Sequence, residues 1–591
     1  MLLSRAAVFR APLDNNIITS WDLLFARLAR PPKRDRLYEP VAVPDPAPRD
    51  AKDVGTTLMD GPQMETDYII VGAGSAGCLL ANRLSADADA KVILLEAGGS
   101  DWSPLIRVPL MAGALYTKKS INWGFETTEQ SVLDNRRLEW PRGKVLGGSS
   151  SINGMVYMRG HRADFDNWAE HGLPGWAYED VLPIFRRSEG HQDRRDDYHG
   201  TKGELSVSRS RTGNPLEEAF LEACDQNGYA ATDDFNGATQ SGFGLHDLTI
   251  SRGRRVSSAG AFLHKYAARP NLKIFVRAHC RRLLVERSRV TGVEASIRGS
   301  RETIRARREV ILCAGAVNSP ALLELSGIGD AERLRSVGIK TVHNLPGVGE
   351  NLQDHLGAYV QHQCLEPVTL NPLFGSVRGL AVVGQAMVAG SGVASSVPLR
   401  AAAFIGEDKG HGGAADIKCT FIPALSLDIL QTGDFDHGFQ IALHQLRPAS
   451  RGSVHVVSSD PKERPAIDPN YFAEEQDRDT LSGGVLAIRE LLSQRAFDKF
   501  RGAEIAPGSA AQSRPQVLSW ICQNSKTVFH PVGTCRMGTD ASAVVNERLE
   551  VQGLQGLRVA DASVMPNITS GNTNAPTLMI AEKAAEMIGR S

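Results

Sequence analysis

Three glycines spaced Gly72-x-Gly74-x-x-Gly77 follow the short run Asp67-Tyr68-Ile69-Ile70-Val71 and open a stretch, Ala76 to Leu84, with the pattern of a helix. A turn of that kind binds phosphate. Gly72 permits the tight turn, Gly74 lets a diphosphate approach the backbone, and Gly77 lets the helix pack closely on the strand. The unpaired N–H groups of the first helical turn, at Ser75 and Ala76, then face the anion. A second apolar strand, Lys91 to Leu95, ends on Glu96, a carboxylate placed to accept hydrogen bonds from an adenosine ribose. Gly72, Gly74, Ser75, Ala76, Gly77 and Glu96 are therefore the dinucleotide-binding candidates, and the pattern alone fits FAD or NAD equally. A second cluster, Gly147-Gly148-Ser149-Ser150-Ser151-Ile152-Asn153, lies in a non-periodic loop. Such a loop lays several N–H and hydroxyl donors against a flat heterocycle.

These groups need a large, ordered body to hold them, and the composition supplies one. Of 591 residues, 42% are hydrophobic and 23% charged, as in globular proteins with ample core. Lys plus Arg (66) nearly cancel Asp plus Glu (67), which removes nucleic acid from the expected partners. Eight Cys carry no C-x-x-C pair, so neither a disulfide framework nor a metal site is expected. Residues 1–64 form an Arg- and Pro-bearing extension in which Ser20 to Arg30 reads as a small amphipathic helix, with Trp21, Leu24, Phe25 and Leu28 on one face. It lacks the apolar core of a secretory signal. A cytoplasmic protein is expected, with peripheral membrane contact through this extension left open. The longest uncharged stretch, Gly379 to Leu399, contains Gly, Ser, Gln and Pro residues that argue against a spanning helix.

Further motifs join the glycine loop. They are Gly315-Ala316-Val317-Asn318-Ser319-Pro320 through Gly329, Leu345-Pro346-Gly347 through Asp354-His355, Thr527-Val528-Phe529-His530-Pro531 through Gly538, and Gly571-Asn572-Thr573-Asn574-Ala575-Pro576-Thr577. With them the chain resembles the glucose-methanol-choline (GMC) oxidoreductase family over about residues 66 to 589. The resemblance implies FAD, and flavin contacts from Gly147, Gly148, Ser150 and Asn153. It also implies contacts near the pyrophosphate or ribityl end from Asp561 and Ala562. Some members bond the flavin covalently through a His where this chain has Ile152, so the FAD is expected to be non-covalent.

In the family, the His corresponding to His530 faces the flavin. With an ordinary pKa near 6.5 it takes a proton from a substrate hydroxyl. Asn574 is expected to hold the alcohol oxygen, and its position also suits the N-cap of a terminal helix. Hydride would pass from the carbinol carbon to flavin N5. The partners implied are a small-molecule alcohol and a quinone or other electron carrier. The motifs look most like the family's choline and broad alcohol dehydrogenases. An alternative is choline itself, which would need an aromatic or acidic cage, to which Phe529 could add a wall. An oxygen-using oxidase is another. Non-oxidative members, lyases and a photodecarboxylase, stand further off; the latter carries an Arg where Thr420 falls here.

The expected fold is a discontinuous, doubly wound, Rossmann-like α/β domain (65–164, 266–364 and 516–591) with a substrate domain (165–265 and 365–515) built on an antiparallel sheet with helices. Alternating runs at Gln440 to Leu446 and Ser453 to Val457 support that sheet.

Overall fold

Ile69, Ile70 and Val71 are buried on both faces of the strand they occupy, β1 (Met64–Val71), which is how a central strand of a parallel sheet reads. The chain passes into α1 (Ser75–Leu84) and returns as β2 (Val92–Glu96), parallel to β1 with Ile69 opposite Ile93 and Val71 opposite Leu95. Leu272–Val276 flanks β2. On the other side of β1 lies β3 (Ser300–Leu312), which leads into α2 (Gly315–Leu325). Leu557–Val559 adds in parallel to the end of β3, and Ala278–Glu286 with Arg289–Ile297 completes the sheet as an antiparallel hairpin. The parallel strands match the doubly wound expectation; the hairpin is an addition. Strand order reverses beside β1, so the crevice at the carboxyl ends of β1, β2 and β3 is where a dinucleotide belongs. The computed structural model describes residues 64–374, 376–406, 413–425 and 437–589. The amphipathic segment at 20–30 lies outside them.

The second sheet is antiparallel. Its core is β4 (Leu356–Cys364), β5 (Ile417–Ile422) and β6 (Gly438–Gln445), in the order Arg501–Ala506, β4, β6, β5, Ala401–Ile405, Gly242–Leu245. Two strands fall differently from the boundaries read in sequence. β4 and Lys526–Thr527, inside the segments assigned to the cofactor half, hydrogen-bond to each other and into this second sheet. β4 is buried along nearly its whole length and the other strand is two residues long, so neither carries a pattern that says which sheet receives it. Likewise Ser453–His455 pairs with Ala466–Asp468 in a separate ribbon rather than extending the sheet. The helix Glu475–Leu492 covers the sheet with Leu481, Val485, Ile488 and Leu492 on its buried stripe.

The terminal helix α3 (Asn574–Gly589) packs along α1. Arg83 of α1 ties the two, its Nε 3.0 Å from Glu582 Oε1 of α3, and its Nη2 also reaches Glu204 Oε2, outside both helices, at 2.9 Å. The first half of the uncharged stretch lies in a helix, Val377–Ala389, that stops at Gly390 in the left-handed conformation (φ 61°). Among the described residues no helix is long and apolar enough to cross a membrane.

Candidate active site

A cleft of about 690 Å³ is lined by Glu96, the first turns of α1 and α2, the Gly148 loop, Lys418, His530 and Asn572. Its glycines divide into two kinds. Gly72 (φ 99°) and Gly77 are packed against protein: a Cβ would lie 2.5 Å from the Cys313 carbonyl oxygen at the first and 1.9 Å from the Gly72 carbonyl oxygen at the second. Gly74 and Gly315 face open space. A Cβ at Gly74 would meet nothing closer than 3.9 Å, and one at Gly315 nothing within 4 Å, yet both line the cleft. A methyl at Gly74 fills only room meant for something else, whereas Gly315 also holds a left-handed φ of 84°. Two helix N-termini therefore open onto one elongated cleft, the arrangement a dinucleotide diphosphate requires. Gly147 N–H donates to the Ala73 carbonyl at 2.8 Å, and Gly148 stands so close to Gly74 that a Cβ would lie 2.7 Å from its Cα. The expected FAD fits these residues.

Glu96 accepts the N–H groups of Ala73 at 2.9 Å and Gly98 at 2.7 Å, and burial pushes its carboxyl up to about 7. Ribose hydroxyls need the ionised carboxylate as acceptor, so below this value binding must first expel a proton. The FAD dissociation constant of the apoprotein should tighten by up to about tenfold per pH unit toward neutrality and level off above it. Fluorescence titration between pH 5 and 8 reads this directly; a flat profile would remove Glu96 from the ribose.

His530 is presented by a strained segment. Phe529 holds φ 69°, a costly conformation for an aromatic residue. Its N–H donates to Thr527 Oγ1 at 2.8 Å, and its carbonyl accepts from Arg142 Nη2 at 2.8 Å. Asp354 lies beneath, accepting the His530 N–H at 2.7 Å on Oδ1 and the hydroxyls of Thr527 and Tyr471 on Oδ2.

The tautomer of His530 follows from its partners. His355 Nε2 lies 3.0 Å from the Leu446 carbonyl, which only accepts, so this nitrogen donates and His355 Nδ1 is left as an acceptor. His530 Nδ1, 2.9 Å away, must then carry the proton of that bond. The lone pair of His530 is consequently on Nε2, where Asn572 Nδ2 donates to it at 2.9 Å, and Asn572 Oδ1 in turn accepts from Lys418 Nζ at 2.7 Å. Burial, reinforced by His355, Lys418 and Arg142, holds His530 well below the ordinary histidine pKa. It is a neutral imidazole with its basic nitrogen turned toward Asn572. His444 lies near both rings, tilted to His355 and edge-on to His530, and both His355 nitrogens are taken up in the bonds to His530 and the Leu446 carbonyl.

The other expected residues are placed as follows. Asn574 does not reach His530. Its Oδ1 accepts from Ser75 Oγ at 2.7 Å, and it forms the first residue of α3, directed along α1. The amide beside the base is Asn572, two positions earlier. Gly147 and Ser150 lie behind the cleft wall. Ser150 Oγ donates to the Gly147 carbonyl at 2.5 Å and accepts the Ser258 N–H at 2.9 Å, while Gly148, Ser149 and Asn153 line the cleft. Asn153 Oδ1 accepts from Met155 N–H at 3.1 Å and Arg255 Nη1 at 2.7 Å. Asp561 and Ala562 both line the cleft, but the Asp561 carboxylate is spent as a cap: Oδ2 accepts the Gly315 N–H at 2.8 Å and Ser319 Oγ at 2.6 Å, Oδ1 the Ser563 N–H at 2.8 Å. Lys418, Asp354, His355 and Asn572 were not singled out in sequence. The acid–imidazole pair closing the Leu345 to His355 motif was the available signal for two of them.

Comparison with known proteins agrees with this geometry. Sequence models of the GMC oxidoreductase family match residues 66–357 and 448–581. The chain is 43% identical over 531 residues to the oxygen-dependent choline dehydrogenase of Brucella ovis, covering 89% of this chain and 96% of that protein. It is 42% identical over 526 residues to the protein of that name from Photobacterium profundum, covering 88% and 92%. Among solved structures, pyridoxine 4-oxidase from Mesorbium loti superposes with a TM-score of 0.81 at 33% identity, covering 89% of this chain and 99% of that one. A formate oxidase variant from Aspergillus oryzae superposes at 0.84 and 27% identity, covering 90% and 99%. With the dinucleotide cleft, the buried neutral imidazole and these matches in agreement, the chain belongs to the GMC oxidoreductase family, FAD-dependent enzymes that oxidise CH–OH donors.

Proposed function

We propose that the protein oxidises a primary alcohol with an uncharged, apolar or aromatic body to the aldehyde, with His530 as the base and Asn572 as the hydrogen-bond donor to the alcohol oxygen. The observation that carries this reading is the relay from Leu446 through His355 to His530, which leaves Nε2 unprotonated and faced by an amide donor. An alcohol oxygen that replaces Nε2 as acceptor of the Asn572 N–H gives its proton to the freed Nε2 and keeps the amide donor as its negative charge grows. FAD, when bound, supplies the two-electron acceptor for the carbinol carbon. The proton taken by Nε2 makes an imidazolium whose Nδ1–H still donates to His355. Ile152, in the cleft wall, offers no nucleophile for a covalent flavin link, so the cofactor is expected to leave the polypeptide on denaturation.

Tyr116, Met155, Tyr359, Leu399, Ile422 and Phe529 line the cleft with apolar and aromatic surface. The charged side chain behind the base is a lysine, a poor neighbour for a quaternary ammonium. Choline is the second reading, favoured by the 43% identity to choline dehydrogenases. The test is anaerobic bleaching of the bound flavin by a panel of alcohols. Benzyl and medium-chain alcohols should reduce it at far lower concentration than choline; reduction by choline alone would reverse the assignment. We assign a quinone or other carrier as electron acceptor, and re-oxidation by oxygen as fast as by a soluble quinone would make the protein an oxidase instead.

A further inference from the structure

Lys418 is 2% exposed, on β5, and points at the site from the second sheet. Among the described residues no carboxylate pairs with it; its neighbours are Asn572 Oδ1 at 2.7 Å and the face of Phe404, 5.6 Å from the ring centre. A buried cation without a counter-ion is expensive and is ordinarily neutralised or removed. Here burial brings the amine down to about 7, so it remains a cation on the acid side of neutrality. Its place in the relay gives it two tasks. An amide can present either end to His530, and the wrong end sets an oxygen lone pair against the Nε2 lone pair. Lys418, able to donate but not to accept while charged, binds only Oδ1 and so forces Nδ2 toward the base. Its charge also stands behind the point where the alcohol oxygen becomes negative and opposes a positive charge on His530.

We propose that Lys418 is a positioning residue of this reaction, fixing which end of the Asn572 amide meets His530 and the alcohol oxygen and setting an uncompensated positive charge behind the base. This rests on the reading of His530 as that base. The groups facing His530 are Lys418, His355, His444 and Arg142, with Asp354 under its backbone N–H. Of the two cations among them, only Lys418 is bonded to the Asn572 amide.

The test uses Lys418→Met, which removes Nζ with little change in shape, and Lys418→Arg, which keeps charge and donors. Two quantities are read on the FAD-loaded enzymes: the acid limb of kcat/KM for the best alcohol, and the pH dependence of the dissociation constant of tert-butanol, followed by the shift of the flavin absorption. That tertiary alcohol has no carbinol hydrogen and cannot be oxidised. In Lys418→Met, kcat should fall about 10- to 100-fold, a loss within the reach of general-base catalysis. Both acid limbs should move to higher pH, because loss of a nearby positive charge lets His530 protonate more readily. Lys418→Arg should restore the limbs toward wild type. A fall in kcat with both limbs unmoved overturns the proposal, as does a variant with wild-type kcat. Should Lys418→Met fail to retain FAD, Lys418→Gln is read by the same measures, since it too lacks the charge. The tert-butanol profile needs no turnover, so it tests Lys418 even if no alcohol in the panel reduces the wild type, a result that would count against the function reading alone.

Discussion

Replacing His530 with alanine should slow alcohol-driven flavin reduction by about 100- to 10,000-fold while leaving FAD bound and the fold intact. The imidazole Nε2 is the unprotonated nitrogen facing the Asn572 donor. Among the described residues, Lys418, the other basic side chain at the Asn572 amide, is committed to its oxygen. The backbone around His530 is held by Asp354, Thr527 and Arg142, which the substitution leaves in place. The expected pH behaviour distinguishes this from a general disturbance. Because burial, His355 and neighbouring cations hold His530 well below 6.5, the loss of wild-type rate caused by its protonation should set in only in acid; the alanine variant should lose that acid limb. Stopped-flow reduction without oxygen measures both, and an unchanged rate would assign the base elsewhere.

The second large effect concerns the glycine turn. Gly77→Ala places a methyl 1.9 Å from the Gly72 carbonyl oxygen, an atom of rigid backbone held by the strand behind it. Overpacking of this kind costs about 1 to 3 kcal/mol, and here it also prises the N-terminus of α1 away from the diphosphate position. Loss of FAD and a lower melting temperature of the apoprotein are both expected. Gly74→Ala is the contrast. Its methyl meets a protein atom only at 3.9 Å, an unstrained contact with the Cys313 carbonyl oxygen, at a position that lines the cleft, so the apoprotein should melt as wild type while FAD binding is lost or much weakened. Melting curves and flavin content together separate the two; equal melting temperatures for Gly77→Ala and wild type would contradict the packing argument.

Much of this site was legible in the sequence because its parts are local. The turn from Val71 to Gly77 and the acid at Glu96 declare themselves through a strand, three glycines and a second strand within a few dozen residues, and the structure puts them where that spacing requires. His530 was recognisable through its motif. What could not be read is what depends on contacts between distant segments. In Asn572-Thr573-Asn574 the two amides are chemically equivalent candidates, and only the direction in which α3 begins sends one to Ser75 and the other to His530. Lys418 sits in an unremarkable strand sequence and acquires its role because β5 delivers it beneath a loop more than 150 residues away. The family resemblance implies a flavin contact from Ser150, but the direction of its hydroxyl, bonded to the Gly147 carbonyl and the Ser258 N–H, depends on a segment more than 100 residues away. The split of strands between the two sheets was hidden for the same reason: an apolar run shows that a strand is buried and not which sheet receives it.

On the proposed reading, His530 and Asn572 activate an alcohol whose carbinol hydrogen then leaves as hydride to the bound FAD. Anaerobic stopped-flow reduction of the flavin by benzyl alcohol and by its α-dideuterated form tests it most directly. Both forms should reduce the flavin, the deuterated one several-fold more slowly, with the isotope effect retained across neutral pH. Equal rates for the two forms, or no reduction by any alcohol at saturating concentration, would contradict it.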